Sequence, residues 1–191
     1  DSINAKMLAS LDSDAGQKAE TAGDVVDALP GAAKTLSATY SAPHLAHATM
    51  EPLNCTISFD AQARTASLWV GSQVPDLARA VAAHFLEIDP EQVTVHSTFL
   101  GGGFGRRLYT DFVAEAAQIC RATGHPIQLV WSREDDIRHD HYRPSAMMRF
   151  EGGLDAEGQL IALSAKRSGA DALAHFIDAS GGALLSPYVG W

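Results

Sequence analysis

Alternation between hydrophobic and polar residues predicts most of the β-structure of this chain. Stretches rich in alternating and β-branched residues predict strands at 33–41, 54–60, 64–71, 92–98, 126–131, 146–154 and 159–168. Short turn sequences at 60–63 and 155–158 each connect two of these strands. Each connected pair is therefore predicted to form a hairpin.

Apolar residues at helical spacing predict two amphipathic helices. The first begins at Pro75, because proline suits the first helical turn, and it ends at Asp89-Pro90. The second begins at Asp111 and ends at Gly124. The predicted buried stripes are Leu77, Val81, Phe85 and Ile88 on the first helix, and Phe112, Val113, Ala116, Ala117, Ile119 and Cys120 on the second.

The order of these elements predicts an α+β fold in which a mixed sheet carries a few packed helices. Residues 1–32 are mostly polar or small, and the stretch 13–29 has weak helical character that Pro30-Gly31 ends. We interpret residues 1–32 as a linker or edge segment and residues 33–191 as the domain. The tail 171–191 has no clear periodicity.

Composition narrows the class of protein. Of 191 residues, 46% are hydrophobic and 19% are charged, which is ordinary for a globular protein. The formal net charge of −9 argues against a nucleic-acid binder that works through a broadly basic surface. No apolar run approaches the length of a membrane span. Cys55 and Cys120 fall in a predicted strand and on an apolar helix face, which favours buried free thiols over a disulfide.

The segment Leu100–Arg107, with the sequence LGGGFGRR, joins a predicted strand to the helix that begins at Asp111. Backbone amides in such a turn stay unpaired and can face an anion, and glycine lets a ligand approach the main chain closely. We therefore expect an anionic group here, with Arg106 and Arg107 adding positive charge. One alternative is that this turn only reverses the direction of the chain. Another is that it is a dinucleotide-binding G-x-G-x-x-G motif. The second alternative is weaker, because a motif that starts at Gly101 requires a third glycine at position 106, which is Arg106.

Other candidate residues carry weaker signals. Neither histidine pair completes a metal-ligand set, so we interpret these residues as surface or hydrogen-bonding histidines: His44 with His47, and His139 with His141. Glu51 is interpreted as a carboxylate that satisfies nearby backbone groups. The acidic run 134–136 is interpreted as a solvated strand end or helix cap that pairs with Arg133. No G-x-S-x-G nucleophile elbow is present.

Five motifs in the same order resemble one family. Gly101–Gly105 looks like the G-G-G-F-G loop in the molybdenum-binding subunit of the xanthine dehydrogenase/aldehyde oxidase family. Ala42–Thr56 is similar to the family's segment that leads into the first strand of its hairpin. Ser72–Pro75 is similar to the family's T-Q-x-P-like motif at the start of a helix. Val130–Asp135 and Tyr142–Pro144 are similar to its R-x-E-D and R-H-P-like segments. Residues 47–56 carry the motif H-A-x-M-E-P-x-N-C-T, which looks most like the isoquinoline oxidoreductase β-subunit branch of this family.

This resemblance implies a cofactor, a reaction and partners. The cofactor is a molybdopterin, as the cytosine dinucleotide in bacterial members, and it carries molybdenum. Such enzymes oxidise N-heterocycles or aldehydes with oxygen from water and pass electrons to an iron–sulfur subunit or domain. In the family the glycine loop approaches the metal end of the pterin, so the implied cofactor contacts are Gly102, Gly103, Phe104 and Gly105. No residue of this chain is implied to ligate the metal.

The chain also departs from the family pattern. Leu45 stands where xanthine dehydrogenases have a cofactor-side glutamine, and Leu108 stands where they have a substrate-gripping glutamate. The resemblance therefore implies a small-molecule substrate other than a purine, with Leu108 close to it. The family's catalytic glutamate lies downstream of Trp191, so the chain is expected to be an inactive internal fragment without retained cofactor. The domain is then partial and continues beyond the C-terminus in a parent protein.

Three points stay open at this stage. A self-contained module that uses the glycine loop to bind a phosphate, nucleotide or carboxylate is the competing interpretation. A homodimer of the fragment through strand edges is another, because absent neighbours leave edges unpaired. The compartment, bacterial cytoplasm or periplasm, is not indicated by any signal in the sequence.

Overall fold

The structure is a computed structural model and describes residues 2–170. Its helices are α1 (Ser2–Leu11), α2 (Val25–Ala28), α3 (Pro75–Leu86), α4 (Asp111–Thr123) and α5 (Arg133–Arg138). Its strands are β1 (Lys34–Ala42), β2 (Asn54–Asp60), β3 (Thr65–Val70), β4 (Val93–Ser97), β5 (Ile127–Val130), β6 (Ala146–Leu154) and β7 (Leu160–Gly169). Within the described residues the chain divides into two compact units, one of residues 2–45 and 144–170 and one of residues 46–143.

The first unit is a three-stranded antiparallel sheet with helical segments from the N-terminal region. The strand order is β1-β6-β7, and β6 pairs with both neighbours in antiparallel register. Helix α1 contacts β6 and β7, and its residues Met7 and Leu11 are buried. The segment predicted to be a linker therefore contributes part of the apolar interior of this unit.

The second unit is a four-stranded mixed sheet in the order β4-β3-β2-β5. Strands β2 and β3 form an antiparallel hairpin, β5 pairs antiparallel with β2, and β4 runs parallel to β3. The parallel pair requires a crossover, which α3 supplies between β3 and β4. The α+β class with a mixed sheet and a few packed helices is thereby confirmed.

The apolar core of the second unit lies between this sheet and helices α3 and α4. Leu68 on β3 and Phe112 on α4 are fully buried there. Cys55 and Cys120 are buried free thiols, as predicted. Burial, with a smaller contribution from Cys120, raises the pKa of the Cys55 thiol to about 12. Both cysteines thus act as small apolar residues rather than as nucleophiles.

Both predicted hairpins and both predicted helices are confirmed. Ile119 was wrongly placed on the buried stripe, because it is 40% exposed on α4. Weak helical character was predicted for 13–29, but the helices lie at Ser2–Leu11 and Val25–Ala28. The division at residues 32 and 33 stays a prediction, and the tail 171–191 lies outside the described residues. Among the described residues, none of the helices combines the length and the apolar character that a membrane-spanning helix needs.

We predict that Phe112→Ala and Ile119→Ala differ sharply in stability although both lie on α4. Phe112 has no exposed surface, so its truncation should lower the free energy of unfolding by about 3–5 kcal/mol. Ile119 is 40% exposed and should cost less than half as much. Urea denaturation followed by circular dichroism measures both. Equal losses would contradict the packing of α4.

Candidate functional site: the glycine turn and its supporting network

The glycine turn, defined as residues 101–105, leaves the end of β4 and leads into α4. Gly102 and Gly105 have φ values of +104° and +101°, a region that residues with a Cβ rarely adopt. Phe104 also lies in the left-handed region, with φ +52°, and the residue is 66% exposed. Such a conformation costs free energy in a bulky residue, so the surrounding contacts must hold it in place.

Two further glycines of this turn lie in close contact with other side chains. A Cβ on Gly101 would lie 2.5 Å from Cβ of Glu51, next to the Glu51 backbone, so a side chain is excluded there. A Cβ on Gly103 would lie 2.6 Å from Oε1 of Gln73 and would displace that flexible side chain from its contact with the Gly105 amide. The turn is therefore pressed against the segment before β2 and against the start of α3.

The main-chain amides of the turn divide into paired and open groups. Gly101 N–H donates to Oε2 of Glu51 at 2.7 Å, and Gly105 N–H donates to Oε1 of Gln73 at 3.1 Å. Among residues 2–170, the amides of Gly102, Gly103 and Phe104 meet no acceptor. Three adjacent donors next to an exposed aromatic ring can bind an anionic oxygen.

Arg107 is the buried centre of the network beneath the turn. Its side chain has no exposed surface, and its guanidinium donates to the carbonyl oxygens of Gly102 at 2.9 Å, Gly71 at 3.0 Å and Glu51 at 3.0 Å. It also donates to Oε2 of Glu51 at 2.8 Å. One guanidinium thus connects the turn, the end of β3 and the segment before β2.

Arg106 is also buried, with 1% of its side chain exposed. Its guanidinium donates to both carboxylate oxygens of Asp111, at 2.9 Å and 2.7 Å. Its Nε lies 3.2 Å from Oδ1 of Asp140 but makes no hydrogen bond within the described residues. The expectation that Arg106 and Arg107 face an anion was therefore wrong, because both are committed to internal carboxylates and carbonyls.

Asp140 connects this network to His47. Nδ1 of His47 lies 2.8 Å and 3.0 Å from the two oxygens of the Asp140 carboxylate, whose side chain is 1% exposed. Ala48 follows in the left-handed region, with φ +43°. The carbonyl oxygen of Thr49 accepts from Nη2 of Arg133 at 2.6 Å. The segment around His47 is thus fixed from both sides.

Two carboxylates of this network have altered acidity. For Asp111, burial acts to raise the pKa, but hydrogen bonds from His141 and Arg106 outweigh it and lower the pKa to about 2. For Glu51, burial likewise opposes ionisation, while the Gly101 amide, Asn54 and Arg107 together hold the pKa below its ordinary value. Both groups are therefore carboxylates at neutral pH, and Glu51 satisfies backbone groups as predicted.

The remaining predicted residues lie outside the glycine turn. Leu108 is half-buried in a short 3-10 turn that follows the glycine turn, and Leu45 is exposed. Arg133 pairs with Asp136 at 2.7 Å, as predicted, but Asp136 is buried rather than solvated. Burial raises its pKa, although Arg133 opposes the shift. The described residues hold no group of three or more His, Cys, Asp or Glu side chains able to share a metal ion.

Sequence reasoning missed two polar residues of the site. Gln73 was noted as part of a helix-start motif, but its contact with Gly105 depends on the approach of α3 to the turn. Asp140 lies 93 positions from His47 and was noted as an acid between two histidines. The local sequence around Asp140 offered no signal, because the burial of Asp140 is visible only in the structure.

Fold and site together define a class: an α+β domain that presents a preorganised glycine turn with open amides, typical of cofactor-binding domains. Comparison with known families gives the particular assignment. Residues 11–175 match the molybdopterin cofactor-binding domain, which covers most of the chain. The chain belongs to this family.

Curated relatives agree with the family. The chain is 38% identical over 117 residues to isoquinoline 1-oxidoreductase subunit beta of Brevundimonas diminuta, covering 61% of this chain and 15% of that protein. It is 32% identical over 143 residues to the aldehyde oxidoreductase molybdenum-binding subunit PaoC of Escherichia coli K12, covering 74% of this chain and 19% of that protein. The chain thus spans less than a fifth of the length of these two relatives.

Solved structures share the fold. Quinoline 2-oxidoreductase from Pseudomonas putida 86 matches with a TM-score of 0.62 at 18% identity, over 75% of this chain and 18% of that one. Aldehyde oxidoreductase from Desulfovibrio gigas matches with a TM-score of 0.62 at 19% identity, over 76% and 16%. The predicted resemblance to molybdenum-binding subunits of this family is confirmed at the level of family and fold.

We predict that Arg107→Lys destabilises the chain by about 3 kcal/mol, because one ammonium group cannot reach the acceptors that the guanidinium fork serves. Arg79→Lys is the matched control, since Arg79 is 44% exposed and pairs weakly with Asp76 at 3.8 Å. It should change the free energy of unfolding by less than about 0.5 kcal/mol. Urea denaturation measures both, and similar values for the two variants would refute the role given to Arg107.

We predict that Asp111 contributes to the acid sensitivity of the fold. Its folded-state pKa of about 2 lies below its ordinary value of 3.8, so its carboxylate stabilises the fold at neutral pH and this contribution is lost as pH falls through about 2. Asp111→Asn should cost about 2 kcal/mol at pH 7 and flatten the dependence of the unfolding free energy on pH between 4 and 2.

Asp76→Asn is the control for this experiment, because Asp76 is exposed and its ion pair with Arg79 is long. Denaturation at a series of pH values compares the two variants with the unsubstituted chain. An unchanged slope below pH 4 in Asp111→Asn would show that the Arg106–Asp111 pair does not couple protonation to folding.

Proposed function

We propose that this chain is part of the molybdenum-binding subunit of a molybdenum hydroxylase and that its glycine turn contacts the molybdopterin cofactor. The contacts are Gly102, Gly103, Phe104 and Gly105. The observation that supports this most directly is the set of open amides at Gly102, Gly103 and Phe104, next to a ring held exposed in a strained conformation. An oxygen-rich anionic cofactor fits these donors, and the ring of Phe104 supplies an apolar wall.

The electrostatics of the turn favour a large cofactor over a small free anion. Arg106 and Arg107 are buried and paired, so the turn presents neutral amides and no arginine charge of its own. Neutral amides orient a ligand that other parts of a protein also hold, but they bind a free anion weakly. This argument supports the cofactor proposal over the competing phosphate- or nucleotide-binding module.

When bound, the cofactor supplies oxidation of an N-heterocycle or an aldehyde, with water as the oxygen source and an iron–sulfur subunit or domain as the electron acceptor. We propose the cytosine dinucleotide form. The residues of this chain hold the cofactor and border the substrate, and we propose Leu108 as the substrate-proximal side chain. Leu45 and Leu108 are apolar where purine-oxidising members have polar groups, which favours an apolar substrate.

The general base of the reaction lies outside this chain in our proposal. The isolated 191 residues then neither retain molybdopterin nor turn over substrate. Elemental analysis of the purified chain, expressed in a host that makes the cofactor, should find far less than one molybdenum per chain. Stoichiometric molybdenum would overturn this part of the proposal. A thermal shift by common nucleotides would instead support the competing binding module.

We predict that Phe104→Ala in the whole enzyme weakens cofactor binding about tenfold, or about 1.4 kcal/mol, and so lowers molybdenum content, because the apolar wall is lost. Phe99→Ala is the matched control, since Phe99 is fully exposed five positions earlier and outside the turn. In the isolated chain neither substitution should lower the melting temperature, because neither ring is buried. Equal molybdenum content in the two variants would remove Phe104 from the cofactor site.

A further inference from the structure

The imidazole of His47 is more than nine-tenths buried, yet one of its nitrogens has no protein partner. Its side chain is 7% exposed, and Nδ1 is held by the carboxylate of Asp140 at 2.8 Å and 3.0 Å. A ring nitrogen that faces a carboxylate carries a proton. The orientation of the ring is therefore fixed, and Nε2 is the atom that remains available.

Nε2 of His47 is directed at the glycine turn. It lies 3.7 Å from the position that a Cβ would take on Gly105, a residue with φ +101°. Within residues 2–170 it makes no hydrogen bond. The open amides of Gly102, Gly103 and Phe104 belong to this same short turn. One side-chain nitrogen and three main-chain nitrogens of one small region thus lack partners.

A purely supporting role for His47 uses Nδ1 and gives Nε2 no function. Among the described residues Nε of Arg106 is the one buried side-chain nitrogen or oxygen without a hydrogen-bond partner, so the unpaired Nε2 of His47 is accessible to solvent or to a ligand. Support of Asp140 needs Nδ1 alone, and the main-chain amide of His47 also donates to that carboxylate. The strained conformation of Ala48 and the clamp of Arg133 on Thr49 hold the segment in this geometry. Such constraint is typical of groups that are preorganised for a ligand.

We propose that His47 is a ligand-contact residue whose Nε2 hydrogen-bonds to an anionic oxygen of the group seated on the glycine turn, with Asp140 as its positioning residue. This inference rests on the proposed function and names one more contact in the same site. Because Arg106 and Arg107 are committed elsewhere, His47 supplies the side-chain donor that the turn lacks. The Asp140 carboxylate faces Nδ1 at 2.8 Å and 3.0 Å, so the ring is held with Nε2 toward the glycine turn.

Two substitutions separate the roles of the two ring nitrogens. His47→Asn keeps an amide nitrogen near the place of Nδ1, so contact with Asp140 survives while Nε2 is lost. His47→Gln places its amide nitrogen near the position of Nε2 and loosens the contact with Asp140. His125→Asn, at an exposed position after α4, is the matched control.

The readout is nuclear magnetic resonance of the labelled 191-residue chain during titration with inorganic molybdate and, separately, with phosphate. Amide signals of Gly102, Gly103 and Phe104 report on the turn, and the Nε2 signal of the imidazole reports on His47. We expect all of them to shift with molybdate. His47→Asn should raise the apparent Kd for molybdate about tenfold, or about 1.4 kcal/mol, whereas His47→Gln keeps more of the affinity and His125→Asn keeps all of it.

Failure of this inference is distinguishable from failure of the proposed function. If the amides shift but Nε2 does not, and His47→Asn binds molybdate as well as the unsubstituted chain, His47 is a supporting residue and the turn stands as the anion site. If neither set of signals shifts at any concentration, His47 and the turn make no anion contact in this chain and this inference is overturned, whereas the proposed function is tested separately by the molybdenum content of Phe104→Ala in the whole enzyme. A shift with phosphate that exceeds the shift with molybdate would assign the contact to a phosphate oxygen rather than to an oxygen at the metal.

Discussion

The geometry of this site depends on one buried cation. Arg107 has no exposed side-chain surface, and a guanidinium does not lose its proton in a protein, so its charge must be compensated where it lies. Burial lowers the pKa of Arg107, and the Glu51 carboxylate opposes that shift. The guanidinium donates hydrogen bonds to three carbonyl oxygens and to the Glu51 carboxylate. These acceptors belong to the turn, the end of β3 and the segment before β2. The three segments are held together because none of them can release the guanidinium without leaving a buried charge unpaired.

This compensation separates the polar groups of the turn into two sets. The groups that face inward, such as the amide of Gly101 and the carbonyl of Gly102, are satisfied by Glu51 and Arg107. The amides of Gly102, Gly103 and Phe104 are left open within the described residues. The left-handed conformation of Phe104 is tolerated because the hydrogen bonds of Glu51 and Arg107 to the turn hold its backbone in place. A rigid support with a few open donors is the physical form that a cofactor-orienting loop needs.

Much of the fold was predictable because its signals are local. Period-two and period-3.6 patterns with clear turn residues were enough for both hairpins and for α4. Helix α1 was missed because Met7 and Leu11 are buried by packing on β6 and β7, which lie far along the chain and leave no local signal. The arginines were misassigned for a related reason. Their carboxylate partners, apart from Asp111, come from distant parts of the chain, and charge alone does not indicate whether a guanidinium faces a ligand or the interior.

The glycines themselves carry less functional information than their density suggests. Gly101 is required by contact with Glu51, Gly102 and Gly105 are required by their backbone torsions, and a side chain at Gly103 would displace Gln73. Each of these requirements holds with or without a ligand, so a glycine-rich motif alone would fit a purely structural turn equally well. The groups that remain unexplained by internal packing are the open amides and Nε2 of His47. These nitrogens are unpaired within the described residues and belong to, or face, one short turn, so they, rather than the glycines, are the physical argument for a bound oxygen-rich group.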